Sequence, residues 1–258
     1  MLSLDRPPRS LHATVTEDGY NARVIDVIQR IAGAERQADV LELLHEAKRA
    51  MGVEHALFVS FVRDDDSHES FRFLLACDWR WCREYQDRGW YATDPWLLYA
   101  ATHSEPVPAS HIKPYTKAQR EATELALRYG MVSACIVPAP SSGGLSRLGV
   151  LGLGVSAPGY FEAEGFTTFK VLARSLAMEL HEWWVRQARR DLIKASRITQ
   201  DDIELLSMQR RGLGTKEVAA ELGISTASVD SRWQRLNSKL GVPHRTEAAR
   251  IAAEYGLV

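Results

Sequence analysis

One stretch of the sequence gathers aromatic side chains around a single acid, in residue types that can bind a polar ligand. It reads WRWCREYQDRGWYATDPWLLYA and includes Trp81, Tyr85, Trp90 and Asp94. A carboxylate among so many rings loses hydration unless a hydrogen-bond donor faces it. That donor is either a backbone amide, since Asp-Pro often begins a turn, or an N–H group of a bound ligand. Because aromatic residues most often simply fill a core, an ordinary packing role also stays open.

The remaining titratable residues do not form a catalytic set. The eight histidines are scattered, and none pairs with cysteine, serine or aspartate at a motif spacing. His181-Glu182 lacks the second histidine of a zinc-binding HExxH helix. The run GVLGLG, from Gly149 to Gly154, lies in a strand pattern and lacks the residue order of a nucleotide-binding loop. We therefore predict that the protein is not an enzyme and carries no metal or other cofactor.

A second stretch, GLGTKEVAAELGISTASVDSRWQRLNSKLGV, has the spacing of two helices around a tight turn. Thr215 is predicted to cap the first helix, and Gly223 to end it in the left-handed region. Ser225 is predicted to cap the second helix, whose inward positions are apolar. Such a unit can lay its second helix in the major groove of DNA.

The outward face of this second helix has short polar groups near its start and cations further on. That division suits contacts to base edges and to phosphates respectively. The alternative is a helical hairpin whose polar face meets only water. The predicted DNA-binding residues are Thr215, Thr226, Ser228, Asp230, Ser231, Arg232, Gln234, Arg235 and Lys239.

Length, charge and cysteine content set the context for these two stretches. A chain of 258 residues accommodates one domain of middling size and one small domain. The formal net charge of −1 means that any DNA binding must be local. Three cysteines without metal-ligand spacing indicate a reducing compartment. No apolar run has the length of a membrane span and the first residues are not a secretory signal, so we predict a cytoplasmic protein without membrane contact.

The periodicity of apolar residues indicates that the aromatic stretch belongs to a domain of both helices and strands. Helical stripes begin near Tyr20 and Val40, and the strand formers HALFVSFV, SFRFLLAC, SACIVPAP and RLGVLGLGVS follow along the chain. A long helix is predicted from about Glu162 to Arg190. We expect an α+β protein, with an N-terminal α/β/α sandwich built on a mainly antiparallel sheet and a helical C-terminal domain. The predicted boundaries are a flexible tail at 1–18, a ligand-binding domain at 19–187, a linker at 188–197 and a DNA-binding domain at 198–258.

The C-terminal stretch resembles the LuxR-type DNA-binding domain. The resemblance rests on GLGTKEVAAELGIS, on Val229, on KLGV at Lys239 to Val242, and on Arg245 to Ala248. It implies an all-α, four-helix helix-turn-helix domain. It also implies a homodimer on a pseudo-palindromic operator, because the family dimerises through the last helix. The small-residue stripe of that helix here is Ala248, Ala249, Ile251 and Ala252.

The aromatic stretch resembles the autoinducer-binding domain of LuxR-type quorum-sensing regulators. Trp81, three residues, Tyr85, eight residues and then Asp94-Pro95 match the spacing of that family. The resemblance implies that Asp94 accepts from the amide N–H of an N-acyl-homoserine lactone. It further implies that Trp81 donates to the lactone carbonyl and Tyr85 to the acyl carbonyl. Such a ligand has one donor, a few acceptors and an apolar tail, which suits these residue types.

Several positions depart from the family pattern in the expected wall of the ligand site. Ala109 stands where the family usually has tryptophan, and Ala134 stands where it has glycine. A hydroxyl residue of the later pocket strand is replaced by Gly152 or Gly154. Loss of an indole removes most of one wall and favours an unusual acyl group or a different small molecule. The predicted ligand-binding residues are therefore Trp81, Tyr85, Trp90, Asp94, Ala109 and Ala134.

We predict a ligand-responsive, DNA-binding transcriptional regulator of the quorum-sensing type that senses an N-acyl-homoserine lactone or a related small signal. One alternative keeps the DNA-binding domain but senses a non-lactone compound from a plant or host. Another is a module that sequesters other LuxR-type proteins in mixed dimers. A phosphorylated receiver is disfavoured, because it needs acids at the ends of parallel strands and Asp64-Asp65-Asp66 falls in a predicted hairpin turn.

Overall fold

The computed structural model of the protein describes residues 9–62, 70–141 and 147–258. The predicted turn at Asp64-Asp65-Asp66 lies outside these residues. The chain divides into two compact units. Among the described residues, the first unit contains residues 9–62, 70–140 and 148–183, and the second contains Ser141, Arg147 and residues 184–258. Within the described residues, no helix combines the length and apolarity needed to cross a bilayer.

The first unit alternates helices with the strands of one sheet. Its helices are α1 (Leu11–Val15), α2 (Tyr20–Ile31), α3 (Gln37–Ala50), α4 (Trp79–Asp87), α5 (Pro95–Thr102), α6 (Lys117–Arg128) and the start of α7 (Phe166–Ser196). Its strands are β1 (His55–Val62), β2 (Arg72–Ala76), β3 (Val107–Pro108), β4 (Ser133–Pro140) and β5 (Arg147–Val155).

The five strands form a sheet in the order β2-β1-β5-β4-β3. The pairs β1–β2, β3–β4 and β4–β5 are antiparallel, which confirms the mainly antiparallel sheet that was predicted. The sequence analysis missed β3, because an edge strand of two residues that ends in proline has no periodicity to detect.

Successive side chains of β1 lie on opposite faces of the sheet, and each face packs against a layer of helices. Leu57 and Val59 pack with Trp81 of α4, in a cluster that also includes residues of α5 and α6. Phe58 points to the opposite face, where a Cβ atom placed on Gly149 would lie 2.6 Å from its ring. The same Cβ would lie 2.9 Å from His181 of α7, so α7 covers this second face. The predicted sandwich with helices on both faces is confirmed.

Two predicted boundaries need correction. The predicted flexible tail at 1–18 is wrong for α1, whose Leu11 is fully buried and whose Thr14 hydroxyl lies 3.2 Å from that of Tyr160. A helix of five residues is too short to show helical periodicity in the sequence. The long helix, predicted to end near Arg190, continues to Ser196 through most of the predicted linker. Its last residues contain neither glycine nor proline, so nothing in them ends a helix.

The second unit contains the end of α7 and four helices around one core. These are α8 (Gln200–Arg210), α9 (Thr215–Leu222), α10 (Thr226–Leu240) and α11 (Arg245–Glu254). Val218 of α9 and Trp233 of α10 are buried in that core. Gly223 ends α9 with a φ of 64°, as predicted, and the Ser225 side chain caps α10. Thr215 does not cap α9, because Gly214 holds that position and the Glu217 carboxylate accepts its N–H.

Candidate ligand and DNA sites

Asp94 lies among the aromatic residues and caps the N-terminus of α5. Its Oδ1 accepts from the backbone N–H of Trp96 at 2.7 Å and of Leu97 at 3.4 Å. Pro95 at the first position of α5 fits this arrangement, because its missing N–H needs no acceptor. Asp94 thus has the backbone partners that the Asp-Pro pattern predicts.

The second carboxylate oxygen of Asp94 has a side-chain partner. The Tyr85 hydroxyl donates to Oδ2 at 2.7 Å, and both residues are buried. The Tyr85 ring stacks with Trp81 at a centroid distance of 5.2 Å and meets Trp90 edge-on at 6.2 Å. Trp81, Tyr85, Trp90 and Asp94 therefore form one contiguous cluster, which we call the Asp94 cluster.

Burial dominates the electrostatics of this cluster. Removal from water raises the pKa of Asp94, although the donors Tyr85, Trp96 and Leu97 oppose that rise by stabilising the carboxylate. Burial also raises the pKa of Tyr85 well above its ordinary value, and the neighbouring Asp94 adds to the effect. The indole N–H of Trp81 is buried and has no hydrogen-bond partner within the described residues. An unmet donor therefore lies in the same cluster as a buried acceptor.

The other two predicted ligand residues line a cleft of about 380 Å³. Ala109 and Ala134 are in its wall, together with Trp96, which follows Asp94 by two positions. Trp81, Tyr85, Trp90 and Asp94 are not among the residues that line it. Ala109 and Trp96 also pack against the core cluster that contains Trp81, Tyr85 and Trp90. The cleft and the Asp94 cluster are thus neighbours that share Trp96.

The two glycines of the later pocket strand let core side chains approach the sheet. A Cβ atom on Gly154 would lie 2.7 Å from Cγ of Met131, and one on Gly152 would lie 3.2 Å from the Leu57 side chain. The space that a larger residue would occupy on this strand is therefore filled by Met131 and Leu57. Met131 also lines the cleft, so Gly154 indirectly shapes that cavity.

Sequence reasoning missed several residues of the cleft. Trp96 could have been predicted from the sequence, because it belongs to the aromatic stretch next to Asp94. Lys113, Met131 and Glu162 are distant from that stretch in the sequence and carry no local motif. Only the fold brings them to the same cavity.

The predicted DNA-binding face is largely open to solvent. The exposed members are Thr226, Ser228, Asp230, Ser231, Gln234 and Arg235, whereas Thr215 and Arg232 are half-buried. The inward positions Val229, Trp233 and Leu236 are buried, so the two faces of α10 divide as the spacing predicts. The start of α10 presents small polar groups, and its middle presents Arg232 and Arg235.

Two of the predicted DNA-binding residues contact another helix of the unit. Lys239 Nζ lies 2.5 Å from Oδ2 of Asp202, and neither side chain is more than 30% exposed. This ion pair joins Lys239 of α10 to the first turn of α8, and the phosphate contact of Lys239 stays a prediction. Thr215 accepts from the Arg245 guanidinium at 3.2 Å, which ties the start of α9 to the start of α11.

Beside α10 there is an open groove that the sequence analysis did not identify. It is lined by Asp230 and Gln234 of the predicted face and by residues at the start of α11, namely Pro243, His244, Arg245 and Thr246. Pro243 and His244 precede α11, whereas Arg245 and Thr246 belong to a segment that carries the resemblance to the LuxR-type domain. The structure adds them to the polar surface around α10.

Two protein families match the two units of the chain. Residues 36–182 match the family described as "Autoinducer binding domain", and residues 196–252 match "Bacterial regulatory proteins, luxR family". The chain belongs to the LuxR family of regulators with an autoinducer-binding domain. The Asp94 cluster and the cleft lie in the first matched region of this LuxR-type protein, and α8, α9 and α10 lie in the second. Both matched domains are regulatory ones.

Solved structures and one curated protein are similar to parts or all of this chain. Escherichia coli SdiA is similar over 92% of this chain and 98% of its own, with a TM-score of 0.69 and 15% identity. "SdiA in complex with octanoyl-rac-glycerol" covers 94% and 98%, with a TM-score of 0.68 and 16% identity. CepR2 from Burkholderia cenocepacia, described as N-acylhomoserine lactone dependent, covers 65% and 96%, with a TM-score of 0.55 and 16% identity.

The curated relative is the transcriptional regulatory protein YdfI of Bacillus subtilis, which is 35% identical over 63 residues. That match covers 24% of this chain and only 30% of YdfI. The solved structures share the fold of the chain, and the two family matches give its function. The LuxR-type protein is a ligand-responsive transcriptional regulator of the quorum-sensing type.

Proposed function

We propose that the Asp94 cluster binds an acylated signal, an N-acyl-homoserine lactone or a related compound, with Trp81 donating to its carbonyl and Asp94 accepting from an adjacent N–H or O–H group. Binding then controls recognition of a pseudo-palindromic operator by α10 in a homodimer. Because bacterial DNA is in the cytoplasm, the proposal assigns the protein to that compartment. The observation that carries the proposal is the pairing of a buried acid with an unmet buried donor in one aromatic cluster.

The acceptor capacity of Asp94 supports this assignment. A carboxylate has about four lone-pair sites, and three donors use them here, from Tyr85, Trp96 and Leu97. Among the described residues only Tyr85 donates to Oδ2, so Oδ2 can also accept from a ligand N–H. Trp81 has an indole N–H without a partner among the described residues, which suits a ligand carbonyl. A binding site for an acyl amide requires one acceptor, one donor and apolar walls.

The titles of the similar structures describe two kinds of acylated ligand. SdiA has been solved with octanoyl-rac-glycerol, and CepR2 is described as dependent on an N-acylhomoserine lactone. Both compounds join an apolar chain to a polar head through a carbonyl. The replacement of the usual tryptophan by Ala109 favours the second candidate, a non-lactone acyl compound, because it opens the wall next to the anchors. The exposed polar face of α10 supports a DNA-binding role over a purely sequestering one.

The proposal is tested by ligand-dependent melting of the full chain. A ligand that binds only the folded state stabilises it by RT ln(1 + [L]/Kd), so the melting temperature rises with concentration. We expect a shift with at least one member of a panel of lactones and acyl esters. Asp94→Asn should reduce that shift, because a charge-assisted hydrogen bond is lost or a donor faces a donor. Asp87→Asn, at the exposed end of α4, is the matched control.

Two results would contradict the proposal. One is a wild-type protein whose melting temperature is unchanged by every acylated compound at millimolar concentration. The other is a shift that Asp94→Asn and Asp87→Asn retain equally, because the ligand would then bind elsewhere.

A further inference from the structure

The cleft beside Ala109 contains a carboxylate, Glu162, for which neither a lactone ring nor an acyl tail has a hydrogen-bond donor. Its buried wall consists of Met131, Ser133 and Ala134. Its exposed wall carries the charged side chains of Lys113 and Glu162. A cavity that joins apolar walls to a few convergent polar groups is the usual form of a small-molecule site.

Glu162 is held in position by two hydroxyl groups from separate elements. Ser110, in the turn after β3, donates to Oε1 of Glu162. Ser133, at the start of β4, donates to Oε2 at 3.3 Å and also accepts from the backbone N–H of Phe161. Ser133 is 4% exposed, so one of these two anchors is fixed in the core. The carboxylate is therefore positioned as an acceptor in the wall of the cleft.

The two charges of the cleft select against a charged occupant. Lys113 has no ion-pair partner within the described part of the chain, and it lines the same cavity as Glu162. A cationic group near Glu162 would also meet the Lys113 ammonium, and an anion near Lys113 would meet Glu162. A neutral hydroxyl group meets neither penalty. It donates to a carboxylate and accepts from an ammonium or a serine hydroxyl.

The position of the cleft connects it to the ligand anchors. The Trp96 N–H donates to Asp94, and the Trp96 side chain lines the cleft. Ala109 lines the cleft and packs against the core that contains the Asp94 cluster. A tryptophan at position 109 would fill space between these regions. With alanine there, the cleft of about 380 Å³ next to the Asp94 cluster has room for a head group.

We propose that the cleft binds a neutral, hydroxylated head group of the signal, and that Glu162 accepts a hydrogen bond from one of its hydroxyls. The ligand class is an acyl ester or amide of a small polyol. This inference rests on the proposed function, because the carbonyl end of the same ligand is anchored at the Asp94 cluster. It assigns Glu162, Ser110 and Ser133 a role in head-group specificity.

The test compares two ligands of equal chain length, octanoylglycerol and octanoyl-homoserine lactone, by melting shifts and by equilibrium dialysis. Glu162→Gln should weaken octanoylglycerol binding about tenfold, the effect expected when a charge-assisted hydrogen bond becomes a neutral one. It should change lactone binding by less than about twofold, a difference too small for a lost hydrogen bond. Glu164→Gln, an exposed neighbour that does not line the cleft, is the matched control. Ala109→Trp should exclude octanoylglycerol and leave the lactone bound.

The outcomes separate this inference from the function on which it rests. If Glu162→Gln and Glu164→Gln bind octanoylglycerol equally well, the head-group assignment is wrong while an acyl signal at Asp94 survives. The same conclusion follows if only the lactone binds and its binding depends on Asp94. If neither ligand binds to the wild-type protein, the head-group inference and the Asp94 site both fail. Glu162→Gln alters an exposed side chain, so the test does not depend on whether Ala109→Trp folds.

Discussion

The hydroxyl of Tyr85 donates a 2.7 Å hydrogen bond to Oδ2 of Asp94, so two residues predicted to bind one ligand are also bound to each other. This bond partly compensates the burial of the carboxylate, which otherwise raises the pKa of Asp94. A ligand N–H must either share Oδ2 with Tyr85 or displace it. We therefore expect the stability of the unit and its affinity for the proposed ligand to be coupled at these two side chains.

Tyr85→Phe should destabilise the ligand-binding unit. It removes a donor from a buried carboxylate, which costs about 1–3 kcal/mol. Such a loss lowers the melting temperature by roughly 2–4 °C per kcal/mol in a unit of this size. Tyr99→Phe is the control, because the Tyr99 hydroxyl donates to the backbone oxygen of Glu105 at an exposed position. Equal melting temperatures for the two variants would show that the Tyr85–Asp94 bond contributes nothing to stability.

The glycines of β5 should differ in their tolerance of a methyl group. Gly149→Ala places a Cβ 2.6 Å from the Phe58 ring and 2.9 Å from His181, and both neighbours belong to a packed layer. We expect a loss of about 1–3 kcal/mol from this overpacking. Gly154→Ala meets the Met131 side chain, which has several rotatable bonds and can move more easily. Chemical denaturation of both variants checks the order, and a larger loss for Gly154→Ala would contradict it.

Local patterns in the sequence predicted elements well, and contacts between distant elements less well. Strand β1 and the turn at Gly223 have strong local signals, from β-branched residues and from a residue that adopts a positive φ cheaply. Lys239 was predicted on the DNA-facing side because it is a cation on α10. Its partner Asp202 is 37 positions away, and no local pattern indicates that the two meet. The same reason explains why Glu162 was not predicted beside Ala109, since the fold alone brings them to one cleft.

The Asp202–Lys239 pair should make the DNA-binding unit sensitive to acid. Burial favours a raised pKa for Asp202, but hydrogen bonds from Lys239 and Thr199 outweigh it and hold the pKa below its ordinary value of 3.8. A carboxyl group whose folded pKa is lowered contributes stability above its unfolded pKa, and this contribution is lost as the pH falls through the folded pKa. Asp202→Asn should therefore destabilise the unit near neutral pH and flatten its stability profile below about pH 4.

This pH prediction is checked by melting the full chain from about pH 3 to pH 7, a range that brackets ordinary carboxyl pKa values. Asp201→Asn is the matched control, because Asp201 is an exposed neighbour in the same first turn of α8. A wild-type profile that runs parallel to that of Asp202→Asn across the acid range would show that the ion pair contributes nothing.

The proposed homodimer should depend on only part of the small-residue stripe of α11. Ala248 and Ala252 are fully buried in their own unit, whereas Ala249 and Ile251 are half-buried. Ile251→Glu should therefore weaken dimerisation while the unit stays folded, and Ala252→Glu should unfold it by burying a charge. Sedimentation velocity with DNA and ligand present measures the first effect, and circular dichroism the second. A wild-type protein that remains monomeric under these conditions would contradict the dimer.

The half-buried Arg232 and the exposed Arg235 of α10 provide the strongest test of DNA recognition. Arg232 and Arg235 lie three positions apart on one face of the helix, and neither shows an ion pair within the described residues. The DNA for this test is a duplex selected from a random-sequence pool. Replacing either arginine with alanine should weaken binding to it by about 1–3 kcal/mol, the cost of a lost base contact. Binding of ligand by the other unit should be unchanged.

Arg83→Ala provides the matched control for this experiment, because it removes an exposed arginine of α4 in the ligand-binding unit. Gel-shift titrations at two salt concentrations distinguish the kinds of contact. A lost phosphate contact lowers the salt dependence by about one counterion, whereas a lost base contact changes sequence preference. If Arg232→Ala, Arg235→Ala and Arg83→Ala all bind the selected duplex as the wild type does, then α10 is not the helix that enters the groove.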